Sequence, residues 1–115
     1  MPIEIRTRVD VFLPLRSGLI AYQVALDWMA EEFAYQRGGA TLTAPFAGLF
    51  VSTSRVDIVE DAIRVLSCDF DLDAGNEEDL SEITTTLENV KEFLMDTLRE
   101  EEIWIVFYPI SRIIS

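Results

Sequence analysis

The chain has 115 residues, of which 50% are apolar and 26% are charged. This composition is typical of a globular protein, and the length suffices for a single α+β domain over residues 1–115 without disulfides or a structural metal. The net charge is −12 at neutral pH, with no histidine and one cysteine. The usual zinc sites and the common histidine-based catalytic pairs are therefore excluded.

The negative charge is concentrated in the second half of the chain. Residues 57–102 contain 16 acidic side chains against three basic ones, so the rest of the chain is almost neutral. Because nucleic acids and anionic membranes are bound through clustered Lys and Arg, we expect neither as a partner. We interpret the acidic region as a solvated face that suppresses non-specific association, with docking of a basic partner as the alternative.

The sequence also gives an expectation about cellular location. No apolar run approaches the roughly 18 residues that span a bilayer, and the start MPIEIRTR differs from the basic-then-apolar pattern of a secretory signal. The lone Cys68 has no second cysteine for an internal disulfide, and it is expected to be a small core residue. We therefore expect a cytoplasmic protein.

Residues 3–13 alternate between apolar and largely polar side chains, which predicts a half-buried strand. Ser17 is placed to cap a helix over residues 18–37. The Gly38-Gly39 pair is interpreted as the end of that helix, because glycine readily adopts the left-handed conformation. A phosphate-binding turn is the less favoured alternative, since the pair follows a helix instead of preceding one.

The predicted first helix carries apolar residues on two opposite sides. One sheet covers only one of them, so the second must meet solvent, another part of the chain, a ligand or a second copy of the protein. The stripe expected to face the sheet consists of Leu19, Tyr22, Leu26, Met29 and Phe33, and the opposite stripe consists of Val24, Trp28 and Tyr35.

A long β-hairpin is predicted after the glycine pair, starting at residue 41 and ending near Leu72. Its turn is assigned to the polar residues 52–55. The Glu60-Asp61 pair interrupts the apolar pattern of the return arm, and this interruption indicates a bulge or bend.

Asn76 is predicted to cap a second helix over residues 77–99, which has one apolar stripe and an acidic first turn. Residues 103–108 then form a strand that is apolar on both faces, and Pro109 beside it indicates an edge position. The stripe of the second helix consists of Leu80, Ile83, Leu87, Val90, Leu94 and Leu98.

These elements follow the order β-α-β-β-α-β, in which right-handed crossovers place both helices on one face of a four-stranded antiparallel sheet. In element order the chain is similar to the ferredoxin-like sandwich, and an α+β ferredoxin-like sandwich is the predicted fold class. The similarity covers nearly the whole chain but has no motif attached to it. Because this fold hosts enzymes, metal carriers, RNA binders and regulatory dimers, it implies no particular function.

The acidic stretch 69–82 matches a calcium-binding loop only in part. With a start at Asp69 the twelfth position is Leu80, and with a start at Asp71 the sixth position is Asn76 where the loop needs glycine. We interpret the stretch as an acidic strand end that runs into a helix start, with weak cation binding as the alternative. The sequence thus predicts no metal, no cofactor and no catalytic residue.

A candidate ligand site lies on the polar face of the first strand, which carries Arg6 and Arg8. If the last strand runs antiparallel beside it, Tyr108 and Arg112 come close to these arginines. Three guanidinium groups and a phenol can hold a carboxylate or a phosphate. The alternative is that the arginines pair with neighbouring acidic side chains.

The sequence supports two functions of different classes. The first is a non-enzymatic protein that forms a homodimer, or docks a protein partner, through apolar surface that the sandwich leaves uncovered. The second is a small-molecule or anion-binding domain, or a weak enzyme, that uses the arginine-rich face. A concave pocket on that face would favour the second function. The uncovered apolar surface is predicted to include Val24, Trp28, Tyr35, Trp104 and Val106.

Overall fold

The structure is a computed structural model that describes residues 2–16, 18–51 and 58–114. Its sheet is built around two long strands, β1 (Ile3–Pro14) and β4 (Ile58–Phe70), which pair in antiparallel fashion. A further strand, β5 (Ile105–Ile113), pairs antiparallel with the other side of β1. Because β1 lies between two partners, its backbone is hydrogen-bonded on both sides.

The side chains of β1 alternate between a buried face and a more polar face, as the sequence predicted. Val9, Val11 and Leu13 are buried, whereas the residues between them are only partly buried. Thr7 is polar but also buried, and its Oγ1 donates to the Leu72 carbonyl oxygen at 2.9 Å. This bond satisfies the hydroxyl group inside the core.

The edge strand beside β4 is divided into β2 (Thr41–Leu42) and β3 (Phe46–Val51), so the sheet has five strands where four were predicted. Between β2 and β3, three residues of the edge strand lie opposite only two residues of β4. One of the three is Pro45, which has no N–H to donate. Thr43 keeps the interrupted part of the edge strand hydrogen-bonded to β4. Its N–H donates to the Val65 carbonyl at 3.0 Å, and its Oγ1 accepts from the Val65 N–H at 2.9 Å.

The predicted bulge at Glu60-Asp61 is wrong, because both residues continue the register with β3. The turn predicted at residues 52–55 lies outside the described residues. Across the sheet the order is β2 and β3, then β4, β1 and β5, and each of these neighbouring pairs is antiparallel.

The first helix, α1 (Ile20–Ala30), continues through a π-helical turn, Glu31–Tyr35, and the helical backbone ends before Gly38. Gly38 (φ 91°) and Gly39 (φ 149°) have positive φ values that residues with a Cβ atom rarely adopt. The predicted helix end is therefore confirmed. The predicted cap, Ser17, lies outside the described residues.

The buried side of α1 differs in one place from the predicted stripe. Tyr22, Met29 and Phe33 are buried as predicted, but Leu19 precedes the helix and is half exposed. Ala25 is buried instead, and its small side chain is compatible with a close approach of the helix to the core.

Trp28 is predicted to lie on the side of α1 away from the sheet and to be left in water in a monomer, and the predicted exposure is wrong because another part of the chain covers it. Its indole ring stacks on Phe93 of the second helix, α2 (Glu77–Leu98), with ring centroids 4.2 Å apart and planes inclined by 23°. The sequence-based prediction took the sheet to be the only element that packs against α1. The two helices also pack against each other, and together with the sheet they give the α+β architecture that was predicted.

The second helix begins and packs as its sequence predicts. Asn76 Oδ1 accepts the N–H groups of Glu78 at 2.9 Å and Asp79 at 3.2 Å, which caps the helix. Arg99, with φ 54°, ends it in the left-handed conformation. Leu80 is partly exposed, and the buried stripe consists of Ile83, Leu87, Val90, Leu94 and Leu98.

Replacing Trp28 by alanine should lower the free energy of unfolding by roughly 1–3 kcal/mol, because a stacked, half-buried aromatic side chain is lost. Val24, one turn earlier and 48% exposed, provides the control. Val24→Ala should change the free energy of unfolding by less than about 0.5 kcal/mol. Urea unfolding of both variants measures the difference, and equal effects would contradict the packing of Trp28 against α2.

Candidate functional site

Arg6, Arg8, Tyr108 and Arg112 lie on the face of the sheet opposite to the buried core. The core residues of β1 have odd numbers, so its even-numbered side chains point to the open face. In the register of the sheet, Arg8 lies opposite Tyr108, and Glu4 lies opposite Arg112. The strand pairing thus brings the four residues of the candidate ligand site onto one surface.

The arginines of this face are paired with local carboxylates. Arg8 donates to both oxygens of Asp69, from Nε at 2.7 Å and from Nη2 at 3.1 Å. Glu4 accepts from Arg6 Nη1 at 2.8 Å and from Arg112 Nη2 at 2.9 Å. Arg6, Arg8 and Arg112 are therefore paired with neighbouring acidic side chains, which is the alternative that the sequence left open.

These contacts lower the pKa values of both carboxyl groups. The hydrogen bonds from Arg8 hold the pKa of Asp69 below its usual range. The charges of Arg6 and Arg112 act on Asp69 in the same direction. For Glu4, the hydrogen bond from Arg6 is the main cause of the lowered pKa. Both carboxyl groups are therefore ionised at neutral pH and hold the guanidinium groups on the sheet.

Tyr108 belongs to a second hydrogen-bonded group on the same face. Its hydroxyl donates to Asp10 Oδ2 at 2.8 Å, and Ser67 Oγ donates to Asp10 Oδ1 at 2.6 Å. The bond to Asp10 raises the pKa of Tyr108, so the phenol stays protonated at neutral pH. Tyr108 is thus held by Asp10, and the Arg8 guanidinium also acts on its hydroxyl.

A depression of about 580 Å³ lies where the open face meets the connection from α1 to β2. Arg6, Arg8 and Arg112 line it from the sheet, together with Ser67 and Asp69. The arginine-rich face therefore carries a depression that is partly open to solvent.

Sequence reasoning missed Arg37 as a part of this site. Arg37 lines the depression next to Gly38 and Gly39, at the end of the first helical segment. Its Nη1 donates to Glu82 at 3.1 Å, and its guanidinium carbon lies 4.5 Å from the centroid of the Phe70 ring. No sequence signal identifies Arg37, because its position depends on how the chain crosses from α1 to the sheet edge.

Trp104 and Val106, predicted to belong to an interface, lie towards the other end of the open face. The Phe12 N–H donates to the Trp104 carbonyl at 2.9 Å, so these two residues lie opposite each other. Val106 is opposite Asp10. Trp104 is 63% exposed and Val106 is 38% exposed, so the chain itself leaves Trp104 largely uncovered and Val106 partly uncovered.

Val24 and Tyr35, predicted for the same interface, lie on the first helical segment and are exposed. Asp27 and Glu31 lie between them at helical spacing, so this side of the helix is not continuously apolar. Trp28, the third helical residue of the prediction, is half-buried through its stacking on α2.

The acidic stretch before α2 uses its carboxylates for local bonds. Asp79 Oδ2 accepts the Asp73 N–H, and Asp73 Oδ1 accepts the Gly75 N–H, both at 2.9 Å. Cys68 is buried as predicted, and burial raises the pKa of its thiol to about 11. Within the described ranges, no three His, Cys, Asp or Glu side chains are grouped so that they could hold a metal ion.

In the part of the chain that the structure describes, neither helix combines the length and the apolar character needed to cross a membrane. The chain matches no protein-family model, no curated protein and no solved structure.

The pairing of Arg8 with Asp69 predicts an acid-dependent contribution to stability. Because the folded pKa of Asp69 lies below the unfolded value of about 3.9, the ionised carboxylate stabilises the fold above that pH. The contribution is lost as the pH falls through the folded pKa. Asp69→Asn should therefore be less stable than the unmodified protein at neutral pH, and the difference should close below about pH 4.

Urea unfolding at a series of pH values measures this difference. Asp96→Asn, which neutralises an exposed carboxylate on α2, is the control and should show a much smaller change. A difference for Asp69→Asn that does not depend on pH would contradict the stabilising pair.

Proposed function

We propose that this protein is a non-enzymatic assembly module that pairs with a second copy of itself through apolar side chains of β5. The observation that supports the proposal is that β5 is an edge strand with large apolar side chains exposed on both of its faces. An apolar edge left in water favours association with another chain. A homodimer is the simplest symmetric way to cover it.

The exposed side chains come from Trp104 directly before β5, from both faces of β5 and from the start of β1. Burial of β1 on the helix side begins at Thr7, so the beginning of the strand and its partner residues on β5 are uncovered. We name this set the β5 surface. It consists of Trp104, Val106 and Tyr108 on the open face, and of Ile3, Ile5, Phe107 and Ile113 on the helix face.

The distribution of charge favours the β5 surface for a contact between two copies. α2 has seven acidic residues and one lysine, whereas β1 and β5 together have three arginines and two carboxylates. Two copies that each carry a charge of −12 repel one another, and the repulsion is weakest when both α2 helices lie away from the contact. A basic partner would instead be attracted to α2.

We also infer a finer description of the fold. If β2 and β3 are counted as one broken strand, the four strands lie in the order 2-3-1-4 across the sheet, which corresponds to the ferredoxin-like arrangement. In this arrangement one face of the sheet is free of helices. The residues Trp104 and Val106 on that face are then available for a contact with another copy.

Contact through the faces of β5 suits the strand better than contact through its edge. The Phe12 N–H donates to the Trp104 carbonyl, and the Ile114 N–H donates to the Pro2 carbonyl. Even-numbered residues of β5 therefore direct their backbone groups to β1, and odd-numbered residues direct theirs to the free edge. Pro109 has no N–H to offer there, so an added strand would lose a hydrogen bond in the middle of β5.

For the location of this assembly we propose the cytoplasm. Cys68 is the single cysteine of the chain and is buried, so the fold uses no internal disulfide that would require an oxidising compartment.

The unmodified protein should be a dimer at micromolar concentration. Trp104→Glu should weaken dimerisation by about tenfold or more, because a charge replaces a large apolar side chain at the contact. Sedimentation velocity over a range of concentrations measures the change, and circular dichroism verifies that the variant remains folded.

Tyr35→Glu is the matched control for that experiment, since Tyr35 is an aromatic residue that is 86% exposed but lies on the helical side. It should leave the dimer intact. An unmodified protein that is monomeric throughout this range would refute the proposal, and so would equal effects of Tyr35→Glu and Trp104→Glu.

Pro109→Val tests whether the edge of β5 takes part. The substitution supplies an N–H at the free edge, and we expect it to produce species larger than the dimer because the strand can then pair along its length. Light scattering coupled to size-exclusion chromatography detects such species. A tighter dimer without larger species would show that the copies already pair edge to edge, which contradicts contact through the faces.

A further inference from the structure

We infer that the arginine-lined depression is a binding site for a small anion that carries two or more negative charges on carboxylate or phosphate groups. The inference does not rest on the proposed dimer, because the depression lies away from Trp104 along the sheet. It follows from the concentration of positive charge, from the N–H groups that remain available, and from the way in which the side chains are held.

Positive charge is unusually concentrated at this site. Four of the nine basic residues of the chain line this one depression. Among the described residues that line it, Asp69 is the only one with a carboxylate. On a chain with a net charge of −12, such a group differs from its surroundings. Glu4 and Glu82 border the site through their bonds to these arginines, so an anion would be held by unused guanidinium N–H groups more than by a local excess of positive charge.

Two of the arginines have N–H groups that the internal pairs do not use. Arg8 binds Asp69 through Nε and Nη2, so this ion pair does not use its Nη1. Arg112 binds Glu4 through Nη2, and its Nε and Nη1 have no partner in the described ranges. These side chains are 42% and 54% exposed, so a ligand in the depression can reach them.

The other two arginines are held in place before any ligand arrives. Arg6 is mostly buried and is fixed by Glu4 and by the carbonyl oxygen of Asp69, the latter at 3.1 Å. Arg37 is fixed by its hydrogen bond to Glu82. Side chains that are already ordered lose less conformational entropy when a ligand binds, so the site is prepared for an anion.

The size and lining of the depression define the class of ligand. A volume of about 580 Å³ is in the range of small-molecule sites. Guanidinium groups match the oxygen pairs of both carboxylates and phosphates. Gly38 and Gly39 contribute only backbone to the wall, and an added Cβ atom at either would meet nothing within 4 Å. This side of the site is therefore open to the uncharged part of a ligand.

Isothermal titration calorimetry at low ionic strength, with pyrophosphate and with citrate as probes, tests the inference. We expect saturable binding with one site per chain for at least one probe, and the preferred probe identifies phosphate or carboxylate chemistry. Arg112→Gln should weaken this binding by about tenfold, which is typical for the loss of charge-assisted hydrogen bonds.

Arg99→Gln is the matched control, because it removes the same charge from an exposed residue at the end of α2. It should change the affinity by less than about twofold, since distant charges are screened. Equal losses of affinity for Arg112→Gln and Arg99→Gln would show that the change in net charge alone weakens binding, and this result would overturn the inference. The absence of saturable binding for both probes would also overturn it.

Glu4→Gln gives an expected gain of affinity. The neutral amide removes a negative charge beside the depression and leaves Arg112 Nη2 without its carboxylate partner, while the amide oxygen still accepts from Arg6, so binding should become about threefold tighter or more. If the arginines serve only to neutralise local carboxylates, Glu4→Gln will not increase the affinity for the probe. An unchanged or weaker affinity of the Glu4→Gln variant would therefore contradict an anion site.

Trp104→Glu distinguishes the failure of this inference from the failure of the proposed dimer. The variant should bind the probe as tightly as the unmodified protein, whether or not dimerisation is lost. If probe binding is instead lost together with dimerisation in Trp104→Glu, the second copy completes the site, and the inference of an anion site within one chain is overturned.

Discussion

The central position of β1 between β4 and β5 is the constraint on which the other features depend. Its side chains alternate, so Val9 and Val11 belong to the core while Arg6 and Arg8 lie on the open face. A register shift by one residue would place guanidinium groups against the helices, and burying an unpaired charge is far more costly than exposing a valine. The two-residue alternation of β1 that buries the core side chains therefore also places the arginines together on one surface.

The two faces of β1 contribute differently to stability. Burial of an aliphatic side chain contributes about 1.5–3 kcal/mol, whereas a solvent-exposed ion pair typically contributes about 0.2–1 kcal/mol. The pair of Arg8 and Asp69 is partly exposed, so its contribution to stability is closer to that of a solvent-exposed ion pair. The fold can therefore tolerate changes on the open face that it cannot tolerate in the core, and this is the condition under which a binding surface can exist there.

The features that the sequence predicted well are those set by local chemistry or by a short period. The alternation of β1 and the capping of α2 by Asn76 need only neighbouring residues, and both agree with the structure. The misplaced features depend on contacts between distant residues. Trp28 is covered by a second helix, and the division of the edge strand involves Thr43 and its bonds to Val65. Arg37 reaches the depression only because of the path of the chain.

The strong negative charge of the chain and an anion site on its sheet are physically compatible. Seven acidic residues lie on α2, which packs on the core side of the sheet, and Glu82 of this helix reaches the depression through its bond to Arg37. At an ionic strength of 0.1 M, screening reduces interactions between exposed charges over about 10 Å, so the repulsion from α2 is weakened at the open face. Direct hydrogen bonds from arginines inside a depression are screened far less.

The β5 surface and the depression can also coexist in one assembly. Trp104 and Arg112 are separated by eight positions, which corresponds to about 26 Å along an extended strand. A dimer contact that covers Trp104 and Val106 on the open face would therefore leave Arg112 accessible. The contact and the depression therefore use different parts of the open face, and the residues of one can be replaced without removing side chains of the other.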